Sequence, residues 1–363
     1  MARKRWLVPW VNSEVKPAIY QCVARVVDKR FAFGAVDKEK FRIYLRMMEK
    51  FSGCRVLAYC VMCNHFHLLL EVTPRPQAVL TDGELLKRLG GLYSQAFVAG
   101  VAKQLREARE LAALGIDEDA EAYAQKIHEL FTYRMHDLSE FMKTLLQRFT
   151  RWHNTRTKRC GNLWEETFKS VVVEDGIASQ TVAAYIDLNP VRAGMVQDPA
   201  EYRWSSYGEA MGATGRSGVW AKAGLVRAMM AHKGWEADAR NWPGEVSRNY
   251  RMMLLEQGTE KTEEVVTETG EMEVRVTRKG MKREVAAAEF ARLEGGQGIA
   301  FGKMLRCRVK YFTDGAVIGS RAFVEEVFEK SRERFGPNRK DGARMFRGSG
   351  KPAAGVLWSA RNL

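Results

Sequence analysis

Two periodicities alternate along the chain. Ala18–Val27 (AIYQCVARVV) is rich in β-branched and aromatic residues and predicts a strand. Between Asp37 and Phe51 the apolar residues Phe41, Tyr44, Leu45, Met48 and Phe51 recur at helical spacing. Asp37 is placed to cap that helix, and Gly53 follows its end. Arg55–Val61 and His65–Val72 read as two strands joined tightly through Met62, Cys63 and Asn64, and Pro74 and Pro76 stop the second. Ala78–Arg134 changes texture: Ala, Leu, Glu and Arg dominate, which predicts a helical insertion over about 76–135. His136–Asn154 predicts another helix, with Leu138, Phe141, Leu145, Phe149 and Trp152 three and four apart. Phe168–Val173 predicts a strand, and Ala178–Leu188 a helix ended by Asn189-Pro190.

The pattern beyond is less regular. Glu201–Trp242 is mixed, with Trp204, Trp220, Trp235 and Trp242 set to anchor a small second core. Glu256–Glu273 carries seven acids against Lys261, which fits a polar linker or an exposed strand pair. Phe290–Phe312 and Ser320–Arg334 predict two helices joined through Thr313–Gly319, a helix–turn–helix-like pair with Ser320 as an N-cap. These segments predict an organisation into residues 1–210, a small helical continuation at 211–255, an acidic linker at 256–280, and a C-terminal helical region at 281–363.

Composition narrows the function classes. Lys and Arg total 58 against 44 Asp and Glu, a net charge of +14 over 363 residues, so a polyanion is the first partner to consider. No apolar run approaches the ~18–20 residues of a membrane span, and Pro9 cuts the short apolar stretch behind the basic start. No membrane partner and no signal peptide are expected. Six cysteines are few for this length and fit a reduced, cytoplasmic protein. There is no GxxxxGK[ST], no strand-linked GxGxxG and no nucleophile elbow, which disfavours a P-loop ATPase, a Rossmann enzyme and a Ser or Cys hydrolase.

Three constellations carry chemistry. Asn64-His65-Phe66-His67 opens an apolar strand, and side chains two apart project to one face, so His65 and His67 form a ready metal platform. A His-x-His pair taken alone is more often polar decoration. Tyr185 and Asn189 lie four apart and share a helix face, where a phenol can stand beside a metal-bound phosphate. The bland alternative is a core tyrosine and a helix-ending asparagine. Arg148, Arg151, Arg156, Lys158 and Arg159 carry no intervening acid and are interleaved with Phe149, Trp152, His153 and Trp164, a pattern suited to phosphates and stacked bases or equally to a solvated helix end. Cys60-Val-Met-Cys63 raises a zinc alternative, disfavoured because strand parity sets Cys60 opposite to His65 and His67 and no second CxxC exists.

Together, Tyr59–Glu71 (YCVMCNHFHLLLE), Gly161–Ser170 (GNLWEETFKS) and Tyr185–Val196 (YIDLNPVRAGMV) resemble the REP-associated tyrosine transposases of the HUH single-tyrosine superfamily. The resemblance covers roughly residues 16–210, and Val309–Glu325 resembles a C-terminal block of longer members. It implies an α+β, ferredoxin-like antiparallel sheet with helices on one face, extended here by the insertion and a C-terminal helical region. It also implies that residues 1–210 are the catalytic domain and 281–363 an accessory DNA-binding region. His65 and His67, with Asn189 as third ligand, would hold Mg²⁺ or Mn²⁺, and Tyr185 would be the nucleophile. Cys63 stands where the family usually has Pro or Ser.

The implied activity is cleavage and rejoining of hairpin-flanked single-stranded DNA through a 5′-phosphotyrosine. Lys169 and Arg192, inside the resembling motifs, and Arg339 and Lys340, in the basic tail, complete the expected DNA-contacting set with Arg148, Arg151, Trp152, Arg156, Lys158, Arg159 and Trp164. A monomer or homodimer is expected. Two alternatives stand beside this: a catalytically silent hairpin-binding regulator on the same fold, and a zinc-binding protein without enzymatic activity.

Overall fold

The computed structural model describes residues 5–11, 13–212, 215–230, 238–266, 272–294, 310–345 and 357–360. Strands β1 (Ala18–Arg25), β2 (Arg55–Val61), β3 (His65–Val72) and β4 (Lys169–Val173) stand in the order β2-β3-β1-β4, antiparallel throughout. Helix α1 (Ala35–Ser52) joins β1 to β2. Helices α2 (Asp82–Leu89), α3 (Gln95–Ala113), α4 (Ala120–Thr132) and α5 (Leu138–Thr157) join β3 to β4. With α2–α4 set aside, this is the split βαββαβ arrangement expected from the sequence.

Asp37 is the third residue of α1 rather than its N-cap, and its carboxylate accepts the N–H of the N-cap residue Gly34 at 3.0 Å. The same carboxylate accepts His153 Nδ1–H at 2.9 Å and pairs with Arg156, which binds α1 to α5. These two helices cover one face of the sheet, over Tyr20, Cys22, Phe66 and Leu68.

The other face is also covered, which corrects the expectation of helices on one face. After β4 the chain forms α6 (Ile177–Asp187), α7 (Asn189–Arg192), α8 (Ser206–Gly212), α9 (Arg216–Met230) and α10 (Glu245–Gly258). Helices α6, α9 and α10 pack with Ile19, Leu57, Leu69, Val171 and Val173, the residues of opposite parity. The physical reason lies in the strands. Every residue of β1 except Arg25 is buried, and a strand whose apolar residues fall on both faces has no face left for water.

Past α10 comes the exposed hairpin β5 (Lys261–Val266) and β6 (Met272–Arg278), then α11 (Arg283–Glu294). The helix expected over 290–312 has its middle, 295–309, outside the described residues, and α12 (Lys310–Asp314) is its last part. The link read as a turn contains β7 (Val317–Gly319), which pairs parallel with β4, ahead of α13 (Arg321–Lys330). Short strands β8 (Arg344–Met345) and β9 (Trp358–Ser359) bring the sheet to seven strands among the described residues. A strand therefore separates the two helices expected to form a helix–turn–helix-like pair. The run Ala316-Val317-Ile318 is fully buried, so a sheet edge is where its apolar side chains belong.

Candidate active site

His65 and His67 open β3, where β1 runs alongside with Arg25 opposite His65 and Val23 opposite His67. Same-face projection of the pair follows from strand geometry, and the ring centroids are 5.0 Å apart. Leu69, next on that face, packs with α6, so the histidines face the second layer of helices. There Tyr185 meets them: its ring lies 5.6 Å from that of His67, nearly perpendicular at 83°. Helix α6 is buried almost all round, and it carries Tyr185 to the imidazoles.

Asn189 opens α7 directly after α6. Its Nδ2 donates to the backbone oxygens of Tyr185 (3.0 Å) and Ile186 (3.2 Å), which ties the asparagine to the turn holding the tyrosine. Phe312 of α12 stacks on Tyr185 at 4.7 Å and 25°, and the Arg192 guanidinium stands 5.1 Å from the phenol ring. Tyr185 is thereby only 3% exposed. Burial pushes its phenol up to about 12, with Arg192 and Asn189 pulling the other way.

The residues present fit a divalent cation. Burial pushes His65 down to about 4 and His67 well below the usual imidazole range, with Arg25 adding to both shifts, so both rings are neutral near pH 7. Neutral imidazole is the ligating form. Asn64 Oδ1 lies 2.7 Å from His65 Nδ1, so Nδ1–H donates to it and Nε2 keeps its lone pair. Among the described residues no group of three or more His, Cys, Asp and Glu stands together. Asn189, the third ligand that the resemblance implies, has its amide at the turn that follows Tyr185.

The zinc alternative changes shape without gaining support. Cys60 pairs directly with His67 across β2 and β3 and shares its face, contrary to the expected parity, because the tight connection after Val61 sets Val61 opposite Phe66 and so Cys60 opposite His67. Its fully buried thiol lies 3.6 Å from Met62 Sδ and is pushed well above the usual thiol range by burial. Cys63 instead lies 3.5 Å from Lys38 Nζ.

The basic residues divide. Arg151 and Lys158 are exposed and Arg159 is half-buried at the end of α5, whose exit loop runs beside Arg25–Val27: Val27 N–H donates to Leu163 O and Glu165 N–H to Arg25 O. That brings this basic end to the edge of the sheet where His65 stands. Arg156 is paired with Asp37, an acid from another element that the local sequence does not reveal. Arg148 lies over Tyr93, and Trp152 is half-buried between Arg156 and Lys40. Lys169 pairs with Asp314 at 3.3 Å. Trp164 is a correction: it is 4% exposed, packed against Phe33 and Phe66, and its indole N–H donates to Thr150, so it has no free face for a base. Arg339 packs on Phe328 and Phe335 and donates to the backbone of Asp341 and Gly342, while Lys340 is exposed.

Three residues at the site were not singled out from the sequence. Arg25 closes β1 beside His65, Gln21 is a polar residue in an apolar strand, and Phe312 is far away in the chain. Gln21 left a readable signal, since a fully buried amide in a strand core needs a partner.

Fold and site together define a class: a split βαββαβ sheet whose His-x-His strand faces a tyrosine carried on the helix after the last core strand. The sequence model of the IS200-like transposases matches residues 14–106. That stretch holds β1–β3 and both histidines and ends before Tyr185, and over it the resemblance drawn from the sequence is borne out. A solved structure of a REP-associated tyrosine transposase bound to a REP hairpin is similar at 9% identity, covering 60% of this chain and 92% of that chain with a TM-score of 0.33. A likeness of that size says nothing of function. None of the curated proteins matches the chain. No described helix is long and apolar enough to cross a membrane.

Proposed function

We propose that the chain is a single-tyrosine transposase that cleaves and rejoins hairpin-flanked single-stranded DNA. The observation that carries this is the meeting of His65, His67 and Tyr185 from two separate elements. His65, His67 and Asn189 would hold Mg²⁺ or Mn²⁺. When bound, the ion supplies Lewis-acid stabilisation of charge on a phosphate oxygen.

The chain's own residues do the rest. Tyr185 Oη forms a bond to the scissile phosphorus as the P–O3′ bond breaks, giving a 5′-phosphotyrosine and a free 3′-hydroxyl that takes up the proton. The linkage conserves the phosphodiester bond, so a 3′-hydroxyl can reverse it and rejoin strands. Arg192 stands against the phenol ring and favours its anionic form. Arg25, Arg151, Lys158, Arg159 and Lys169 would neutralise phosphates at the His65 edge of the sheet, with Arg148, Arg156 and Trp152 flanking them and Arg339 and Lys340 contributing from the tail.

The test is incubation with Mn²⁺ and single-stranded hairpin DNA taken from beside the chain's own gene. A covalent protein–DNA adduct mapping to Tyr185 supports the reading. Specific hairpin binding without nicking or adduct favours the silent regulator.

A further inference from the structure

His67, like His65, has a side-chain amide beside its Nδ1. The atom placed there, 3.5 Å away, is Nε2 of Gln21, at the centre of β1. Gln21 is fully buried, opposite Leu69 on one side and Val171 on the other, and its Oε1 has no partner among the described residues. An amide in that setting costs free energy unless it is hydrogen-bonded. The oxygen and nitrogen of an amide exchange places by a half-turn, and turned over, Oε1 would accept Nδ1–H of His67, as Asn64 Oδ1 accepts Nδ1–H of His65.

We infer that Gln21 is a positioning residue for the cation site: it holds the buried His67 ring and fixes the Nδ1–H tautomer, leaving Nε2 to ligate. Asn64 does this for the outer histidine and Gln21 for the inner one, so the pair presents two Nε2 lone pairs from one strand. The inference rests on His65 and His67 being metal ligands. It goes beyond that reading by assigning the orienting group of the inner ligand to a different strand. A metal-ligating imidazole needs such a partner on its other nitrogen, and loss of that partner costs about ten- to a hundredfold in metal affinity.

The experiment uses the full chain labelled with ¹⁵N-histidine, metal-free, in the wild type, Gln21→Leu and Gln21→Glu. Long-range ¹H–¹⁵N correlation reads the His67 tautomer, assigned with a His67→Ala variant, and Mn²⁺ affinity is measured by electron paramagnetic resonance. The wild type is expected to hold His67 as Nδ1–H. Gln21→Leu loses that bias and binds Mn²⁺ about ten- to a hundredfold more weakly. Gln21→Glu, which keeps an acceptor, retains both tautomer and affinity. An unchanged tautomer and affinity in Gln21→Leu overturns the inference, as does a fall in Tm alone. If wild type binds Mn²⁺ no better than a His65→Ala, His67→Ala double variant, the metal reading itself fails. That failure is distinguishable because it already shows in the unmutated chain.

Discussion

The ring of Tyr185 stands nearly perpendicular to that of His67, with centroids 5.6 Å apart, although 117 residues lie between the two in the chain. An apolar strand and an apolar helix pack across the sheet, and the polar groups they carry meet at one end of it. Nearly all of the proposed chemistry depends on that meeting.

Phe312 closes the other side of Tyr185, so truncating it should open the phenol to solvent and substrate. Phe312→Ala is expected to raise nitration of Tyr185 by tetranitromethane several-fold, read by mass spectrometry, and to speed adduct formation with hairpin DNA. Truncating this buried ring costs about 3–5 kcal/mol in burial and cavity formation, so Tm falls as well. Unchanged nitration would mean that Phe312 does not shield the phenol.

The donor set should govern metal preference. Two imidazoles and an amide suit Mn²⁺ better than Mg²⁺, which favours oxygen ligands and keeps its waters. Adduct formation is expected at lower Mn²⁺ than Mg²⁺ concentration, and His65→Ala with His67→Ala should abolish dependence on either. Equal half-saturating concentrations of the two ions would count against ligation by the histidines.

Arg151 and Lys158 offer a test of the DNA-facing edge. Lys158 ends α5 at φ 52, where glycine is at ease, so Arg151→Ala with Lys158→Gly should fold normally. Each phosphate contact removed should reduce the slope of log affinity against log salt by about 0.7–0.9. A slope identical to wild type would place the DNA elsewhere.

Stability should fall on mild acidification. Folded His136 is held down to about 4, chiefly by burial and then by Arg88, from an ordinary value of 6.5. Between those values the unfolded chain binds more protons, so this stability is fully present above about pH 6.5 and lost as pH falls toward 4. The urea midpoint is expected to be lower at pH 5.0 than at pH 7.5. His136→Asn, which tolerates the φ of 54 and cannot titrate, should lessen the difference. An equal pH dependence in wild type and variant would remove His136 from the account.

How much of this was legible follows from which residues carried local information. The βαββαβ core could be read because its strands and crossover helices announce themselves by periodicity, and His-x-His fixes one face by geometry alone. Coverage of both sheet faces has its signal in β1, where Ile19 and Val23 are apolar on one face and Tyr20 and Cys22 on the other. Trp164 reads as a base-stacking aromatic until Phe33 and Phe66 are seen against it, and Arg156 reads as unopposed until Asp37 arrives from α1. Strand β7 is only three residues long, too short for a period, and is a strand because β4 offers an edge. Phe312 could not be placed at all, because nothing local in the sequence tells a helix end which distant ring it will cover.

The most direct measurement is adduct formation by Tyr185→Phe with metal and a single-stranded hairpin substrate, beside its binding affinity for the same DNA. The account predicts that the phenylalanine variant forms no covalent adduct and does not cleave, while hairpin affinity stays within a few-fold of wild type. Retained adduct formation in that variant would contradict the assignment of Tyr185 as nucleophile.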